Sequence, residues 1–124
     1  MNLRKILNFG HTIGHSIEKL SGYKLSHGNA ISIGMVLEGK IAVKLGLWNK
    51  DDLTRLEILL KHAGLPTEMP SSVQVHKLID NMKIDKKSRR GTVQMALPSA
   101  IGEMFTKDGE YSIKIDDAVI RKIL

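Results

Sequence analysis

The segment that most limits what this chain can become is "NAISIGMVLEGKIAVKLGL", about Asn29 to Leu47, which is apolar on nearly every side and longer than an ordinary strand. That pattern predicts a central helix buried all round, with the other elements arranged about it. Gly34 and Gly39 inside it each cost a helix about 1 kcal/mol relative to Ala. Their use is to let another backbone, or a ligand, come close.

The flanking sequence supplies amphipathic pieces. From Leu3 to Leu20 apolar residues recur at three- and four-residue spacing and break around "NFGHTIG", which predicts one helix or two closely joined helical pieces. "SGYKLSHGN" follows as a loop. "NKDDLTRLEILLKHAGLP" has Asn49 or Asp51 as N-cap, acids in the first turn, Gly64 after the last turn and Pro66 beyond. "SSVQVHKLIDNMKID" predicts a fourth helix that starts on serine caps after Pro70. Beyond it the period changes: "GTVQMALP" alternates, and "EMFTKDGEYSIKI" places Asp108-Gly109 between two short runs, predicting a small hairpin or pair of strands. "DDAVIRKIL" closes the sequence as a capped helix. The expected fold is mainly α, a multi-helix domain with a small β element near the C-terminal end. Its 124 residues suit one domain spanning positions 1–124.

Composition narrows the chemistry. With one Trp, two Tyr and two Phe, the core must be aliphatic. There is no Cys, so thiolate sites and Cys nucleophiles are excluded, and any metal must be held by His, Asp or Glu. No signal-peptide pattern is present, and the longest nearly apolar run, Ala30 to Leu37, is too short to span a bilayer. These features predict a cytoplasmic protein without a membrane partner. The net charge of +6 is concentrated: "KIDKKSRR", Lys83 to Arg90, holds five cations and one anion. A nucleic-acid surface spreads its cations along a face and interleaves aromatics, and this stretch has none. No nucleic-acid partner is expected. By charge alone Lys86 and Lys87, beside Asp85, suit a solvated loop better than a phosphate grip.

Several enzyme signatures are missing. The chain has no G-x-G, no P-loop and no G-x-S-x-G elbow, so it supplies no phosphate loop for a nucleotide cofactor. The histidines say more. His11 and His15 stand four apart, the spacing that puts two imidazoles on one helix face. A zincin protease would need Glu directly after the first His, where Thr12 stands. His27, in the loop before the buried helix, could fold back toward them. Spacing alone does not choose among His11, His15 and His27. Positions 4, 8, 11 and 15 step by four, three and four, so Arg4 and Asn8 are expected to share the helical face of His11 and His15, an Arg, Asn, His, His surface suited to an oxygen-rich anion. The alternative is a solvated helix face. His62 and His76, among Lys residues on amphipathic helices, belong to the surface.

The blocks "RKILNFGHTIGHSIE", "LSHGNAISIGM", "AGLP", "MKIDKKSRRG" and "ALPSAIGE", in that order, resemble the C-terminal domain of the 3-dehydroquinate synthase family, within the sugar-phosphate cyclase superfamily. The resemblance runs from Arg4 to about Gly102. It implies a mostly helical domain that supplies metal and substrate contacts beside a larger NAD-binding N-terminal domain absent from this chain, and a homodimer when full length. It also implies a lyase of the shikimate pathway that turns 3-deoxy-D-arabino-heptulosonate 7-phosphate into 3-dehydroquinate, using NAD and Zn2+ or Co2+. By the same resemblance His11 and His27 are metal ligands, the third being a Glu of the other domain. Arg4 holds the substrate carboxylate, Asn8 and His15 contact the phosphate side, and Lys86 adds a cation there. Gly10 and Gly14 would keep the helix low enough for metal and substrate to lie against it. One departure is visible: Asn29 follows His27-Gly28, where the family usually has Glu. Related cyclases forming inosose or valiolone products share the histidine blocks; Arg4 favours a substrate bearing a carboxylate. The other alternative is that the isolated chain is a non-catalytic metal- or anion-binding module.

Overall fold

The computed structural model describes residues 9–84, 93–95, 98–100, 103–104, 113–115 and 117–123. In chain order the elements are α1 (His11–Leu20), α2 (His27–Lys44), α3 (Lys50–His62), α4 (Val75–Ile84), β1 (Val93–Met95), β2 (Pro98–Ala100), β3 (Glu103–Met104), β4 (Ile113–Ile115) and α5 (Asp117–Ile123). The expectation of a mainly helical fold holds.

α2 is the central helix. It buries Ile33, Leu37 and Ile41 together with Ala30, Val36 and Ala42, so no single face of it is solvated. It begins two residues earlier than expected because Ser26 caps it, the hydroxyl accepting from the Asn29 N–H at 3.2 Å. It stops at Lys44, where Gly46 turns left-handed at φ 75° and the Leu47 N–H bonds back to the Ala42 carbonyl at 2.9 Å. α3 obeys the same grammar. Asn49 is the N-cap, accepting from the Asp52 N–H at 2.8 Å, and Gly64 closes the other end.

Gly34 explains how tightly α1 lies on α2. A Cβ there would run into the carbonyl oxygen of Gly10 and stand 2.7 Å from the amide nitrogen of Gly14. The interior glycine does admit another backbone, as expected. Gly10 and Gly14 answer it from α1: their Cβ positions meet Met35 and Ile31 of α2, not open space. Their use is therefore helix packing, which corrects the expectation that they make room for metal and substrate. Gly39 does the same service on the far side, against Trp48 and Leu53.

α4 packs on α1, and α5 on α2 and α4. Ile13 and Ile17 of α1, Leu78, Ile79 and Met82 of α4, Ile115 of β4 and Ile120 of α5 complete an aliphatic core with α2. Trp48 is the aromatic side chain buried among the described residues.

Three expectations change in detail. The helix after Pro70 starts at Val75, not on Ser71 or Ser72, because the Val73 N–H bonds the Pro70 carbonyl at 3.1 Å and closes those serines into a turn. The strands form two separate antiparallel ladders, β1 with β4 (Val93 opposite Ile115) and β2 with β3 (Pro98 opposite Met104). The runs on either side of Asp108-Gly109 thus pair elsewhere: two residues separate β2 from β3, a connection short enough to capture β3 first. Asp108 and Gly109 themselves lie outside the described residues. Finally, Gly10 at φ 84° is the N-cap of α1, so the helix that carries His11 and His15 begins at His11. The break expected around "NFGHTIG" is there, while Arg4 and Asn8, expected on the same helical face, lie outside the described residues.

Candidate metal centre

α1 and α2 are joined by six residues, Ser21 to Ser26, so the first residue of α2 returns beside α1. This brings His27 to His11 and His15. The ring centroids are 5.2 Å apart for His11 and His15, 5.7 Å for His11 and His27, and 5.5 Å for His15 and His27. One nitrogen from each ring lies within 4.8 Å of the others. His11 and His15 are half-buried, and His27 is exposed.

Two of the rings are oriented from behind. His27 Nδ1 lies 3.0 Å from Glu18 Oε1, and His11 Nδ1 lies 3.3 Å from the Phe9 carbonyl oxygen. A carboxylate and a carbonyl only accept, so in the neutral tautomer that suits these contacts Nδ1 donates and Nε2 is left to face a ligand. That is the state in which a histidine binds a metal, with an oxygen acceptor behind the ring fixing its tautomer and raising its basicity. Nitrogens at Zn–N distances of about 2.0–2.1 Å need only small side-chain rotations from this spacing. The donor set therefore fits a divalent metal of intermediate softness, such as Zn2+ or Co2+.

Glu18 carries no signal in the spacing pattern, because its role depends on where His27 returns. Glu38 is a second residue that sequence reasoning passed over. It is fully buried on α2, and its two oxygens accept from the Gly10 and Ile13 N–H groups, each at 3.0 Å. The available signal was that Glu38 is the one acid within the apolar segment 29–47, and a carboxylate is not buried without donors.

His62 and His76 are exposed, as expected of surface residues. Arg4, Asn8, Lys86 and Lys87 lie outside the described residues. Lys83, the first cation of the basic stretch, pairs with Asp117 at 2.6 Å and ties α4 to α5. Among the described residues no helix is long and apolar enough to cross a membrane.

Residues 1–88 match the family model described as 3-dehydroquinate synthase C-terminal. A 3-dehydroquinate synthase of Nostoc punctiforme is 46% identical over 98% of this chain, which covers 32% of that protein. The chain spans about a third of the length of the curated relatives it matches. A solved 2-deoxy-scyllo-inosose synthase, complexed with carbaglucose-6-phosphate, NAD+ and Co2+, superposes with TM-score 0.83 at 25% identity, over 94% of this chain and 32% of that one. A 2-epi-5-epi-valiolone synthase from Streptomyces hygroscopicus, solved with NAD+ and Zn2+, shares the fold with TM-score 0.77 at 24% identity, over 94% and 31% of the two chains. With the family model covering most of its length and relatives above 40% identity, this chain belongs to the 3-dehydroquinate synthase C-terminal family.

Proposed function

We propose that residues 1–124 form a single metal- and substrate-binding domain of a 3-dehydroquinate synthase, which turns 3-deoxy-D-arabino-heptulosonate 7-phosphate into 3-dehydroquinate and phosphate in the shikimate pathway, toward aromatic amino acids. The observation that carries the reading is the meeting of His11, His15 and His27, two of them with Nδ1 already committed to an oxygen acceptor. His11 and His27 hold Zn2+ or Co2+, and a Glu of a domain outside this chain completes the set. When bound, the metal polarises the oxygens of the carbon that is oxidised and later reduced.

NAD+, which that other domain would mainly hold, would supply reversible hydride transfer at a substrate hydroxyl. A ketone at that carbon acidifies the neighbouring C–H, which lets phosphate leave ahead of ring opening and aldol closure. Within this chain Arg4 presents its planar fork to the substrate carboxylate. Asn8 and Lys86 hold the phosphate side. His15, about one helical turn from His11, offers the phosphate side a group that can donate or accept. His15 and Lys86 are thus the catalytic contacts of this domain, and the departing phosphate can itself take the proton. The working enzyme is a cytoplasmic homodimer of two-domain subunits.

The alternative is a related cyclase of inosose or valiolone type, supported by the likeness to the solved 2-deoxy-scyllo-inosose synthase. Arg4 separates the two, since a neutral sugar phosphate gives its guanidinium no carboxylate. The test is an assay of this chain joined to its NAD-binding domain, with and without chelator, on heptulosonate phosphate and on glucose 6-phosphate. Chelator-sensitive turnover of the first alone supports the reading; turnover of the second alone overturns it in favour of the alternative. The 124-residue chain by itself, given NAD and zinc, is expected to be inactive.

A further inference from the structure

Among the described residues, Glu38 is the buried ionisable group that the proposed chemistry does not use. It is fully buried on α2, with Oε1 accepting from the Gly10 N–H and Oε2 from the Ile13 N–H, each at 3.0 Å. Those two donors bracket His11 in sequence. They are also among the amides that the start of a helix leaves without an intrahelical partner. A helix usually satisfies them with the side chain of its own N-cap, but the N-cap of α1 is Gly10, with no side chain to offer. The neighbouring helix supplies the cap instead, at the end of α1 where the helix dipole favours an anion.

The position of this carboxylate along α2 has a consequence for the histidines. His27 is the first residue of α2, and Glu38 follows eleven residues later, about 16 Å along the axis. One rigid helix therefore presents one ring at its start and, three turns on, the clamp that fixes the helix start from which the other ring projects. Two oxygens on two separate amides restrain both the height and the rotation of the first turn of α1. We propose that Glu38 is the positioning residue that sets His11 against His27 at metal-binding separation. This rests on the reading of His11 and His27 as metal ligands.

Thermodynamic reciprocity gives the proposal two faces. If the cap strengthens metal binding, metal must strengthen the cap by the same factor. Glu38→Gln keeps the shape but leaves one acceptor oxygen, and its NH2 group would face an N–H donor. The first measurement is Zn2+ affinity of the 124-residue chain by competition with a chromophoric chelator, with the visible absorption of Co2+ as a report of coordination geometry. Glu38→Gln is expected to retain helical circular dichroism, to bind Zn2+ about 10- to 100-fold more weakly, and to shift the Co2+ bands. Ile41→Val, a core change on the same helix that leaves the cap untouched, should lower the unfolding temperature and bind Zn2+ as the wild type does.

Affinity of Glu38→Gln within twofold of wild type overturns the proposal. So does an equal loss in Ile41→Val at equal loss of stability, which would make the effect one of general loosening. The second measurement needs no variant to fold: Zn2+ should slow hydrogen exchange at the Gly10 and Ile13 amides of the wild type, and unchanged exchange there overturns the proposal. If wild-type Zn2+ binding does not depend on His11 and His27, the metal reading fails first, and the role of Glu38 falls with it.

Discussion

Gly34 of α2 and Gly14 of α1 meet backbone to backbone: a Cβ on Gly34 would stand 2.7 Å from the Gly14 nitrogen and 2.9 Å from its Cα. Neither atom belongs to a flexible side chain, so the contact can be relieved only by moving a helix. Gly34→Ala should gain about 1 kcal/mol of helix propensity yet lose more to overpacking, which costs about 1–3 kcal/mol in a well-packed core and more against backbone. Urea unfolding should show net destabilisation, with weaker Zn2+ binding as α1 and α2 part. Gly28→Ala, where a Cβ meets nothing within 4 Å, should be neutral or slightly stabilising.

Glu18 stands behind His27, Oε1 to Nδ1 at 3.0 Å. Glu18→Gln removes the negative charge and the preference for a proton on Nδ1. Outer partners of metal-binding histidines are worth about 10- to 100-fold in metal affinity. Because this pair is partly exposed, with side-chain exposures of 57% and 20%, a loss near the lower end is expected in a chelator competition.

Asn49 tests whether stability and metal binding can be separated. Its side chain accepts from the Asp52 N–H at 2.8 Å and begins α3, away from the histidines. Asn49→Ala should cost about 1 kcal/mol in denaturant unfolding and leave Zn2+ affinity unchanged.

Much of this fold could be read from spacing. The buried central helix followed from its length and unbroken apolarity, and the end of α3 at Gly64 from helix-stop chemistry. Gly34 was expected to admit a backbone, and it does. Gly10 and Gly14 were misjudged because spacing shows which residues share an element, not which element lies opposite. The same limit hid Glu38, whose partners are 28 and 25 residues away, and Glu18, which matters only once His27 has returned. Strand pairing was illegible for a related reason: runs of two or three residues carry too little pattern to name a partner, so connection length decided it. The histidine pair on α1 was visible at once. That His27 could fold back to it was open from the sequence, and only the fold brings the three rings together.

The central claim is that His11 and His27 hold the metal while His15, 5.2 Å from His11 between ring centroids, is kept for substrate. Zn2+ affinity of His11→Ala, His15→Ala and His27→Ala, each against wild type by chelator competition, tests it most directly. Removing either His11 or His27 should weaken binding at least about 100-fold, beyond the usual loss of an outer partner, while His15→Ala stays within about threefold of wild type. Release of the metal by His15→Ala as complete as that by His27→Ala would contradict the division of labour and make the centre a three-histidine site.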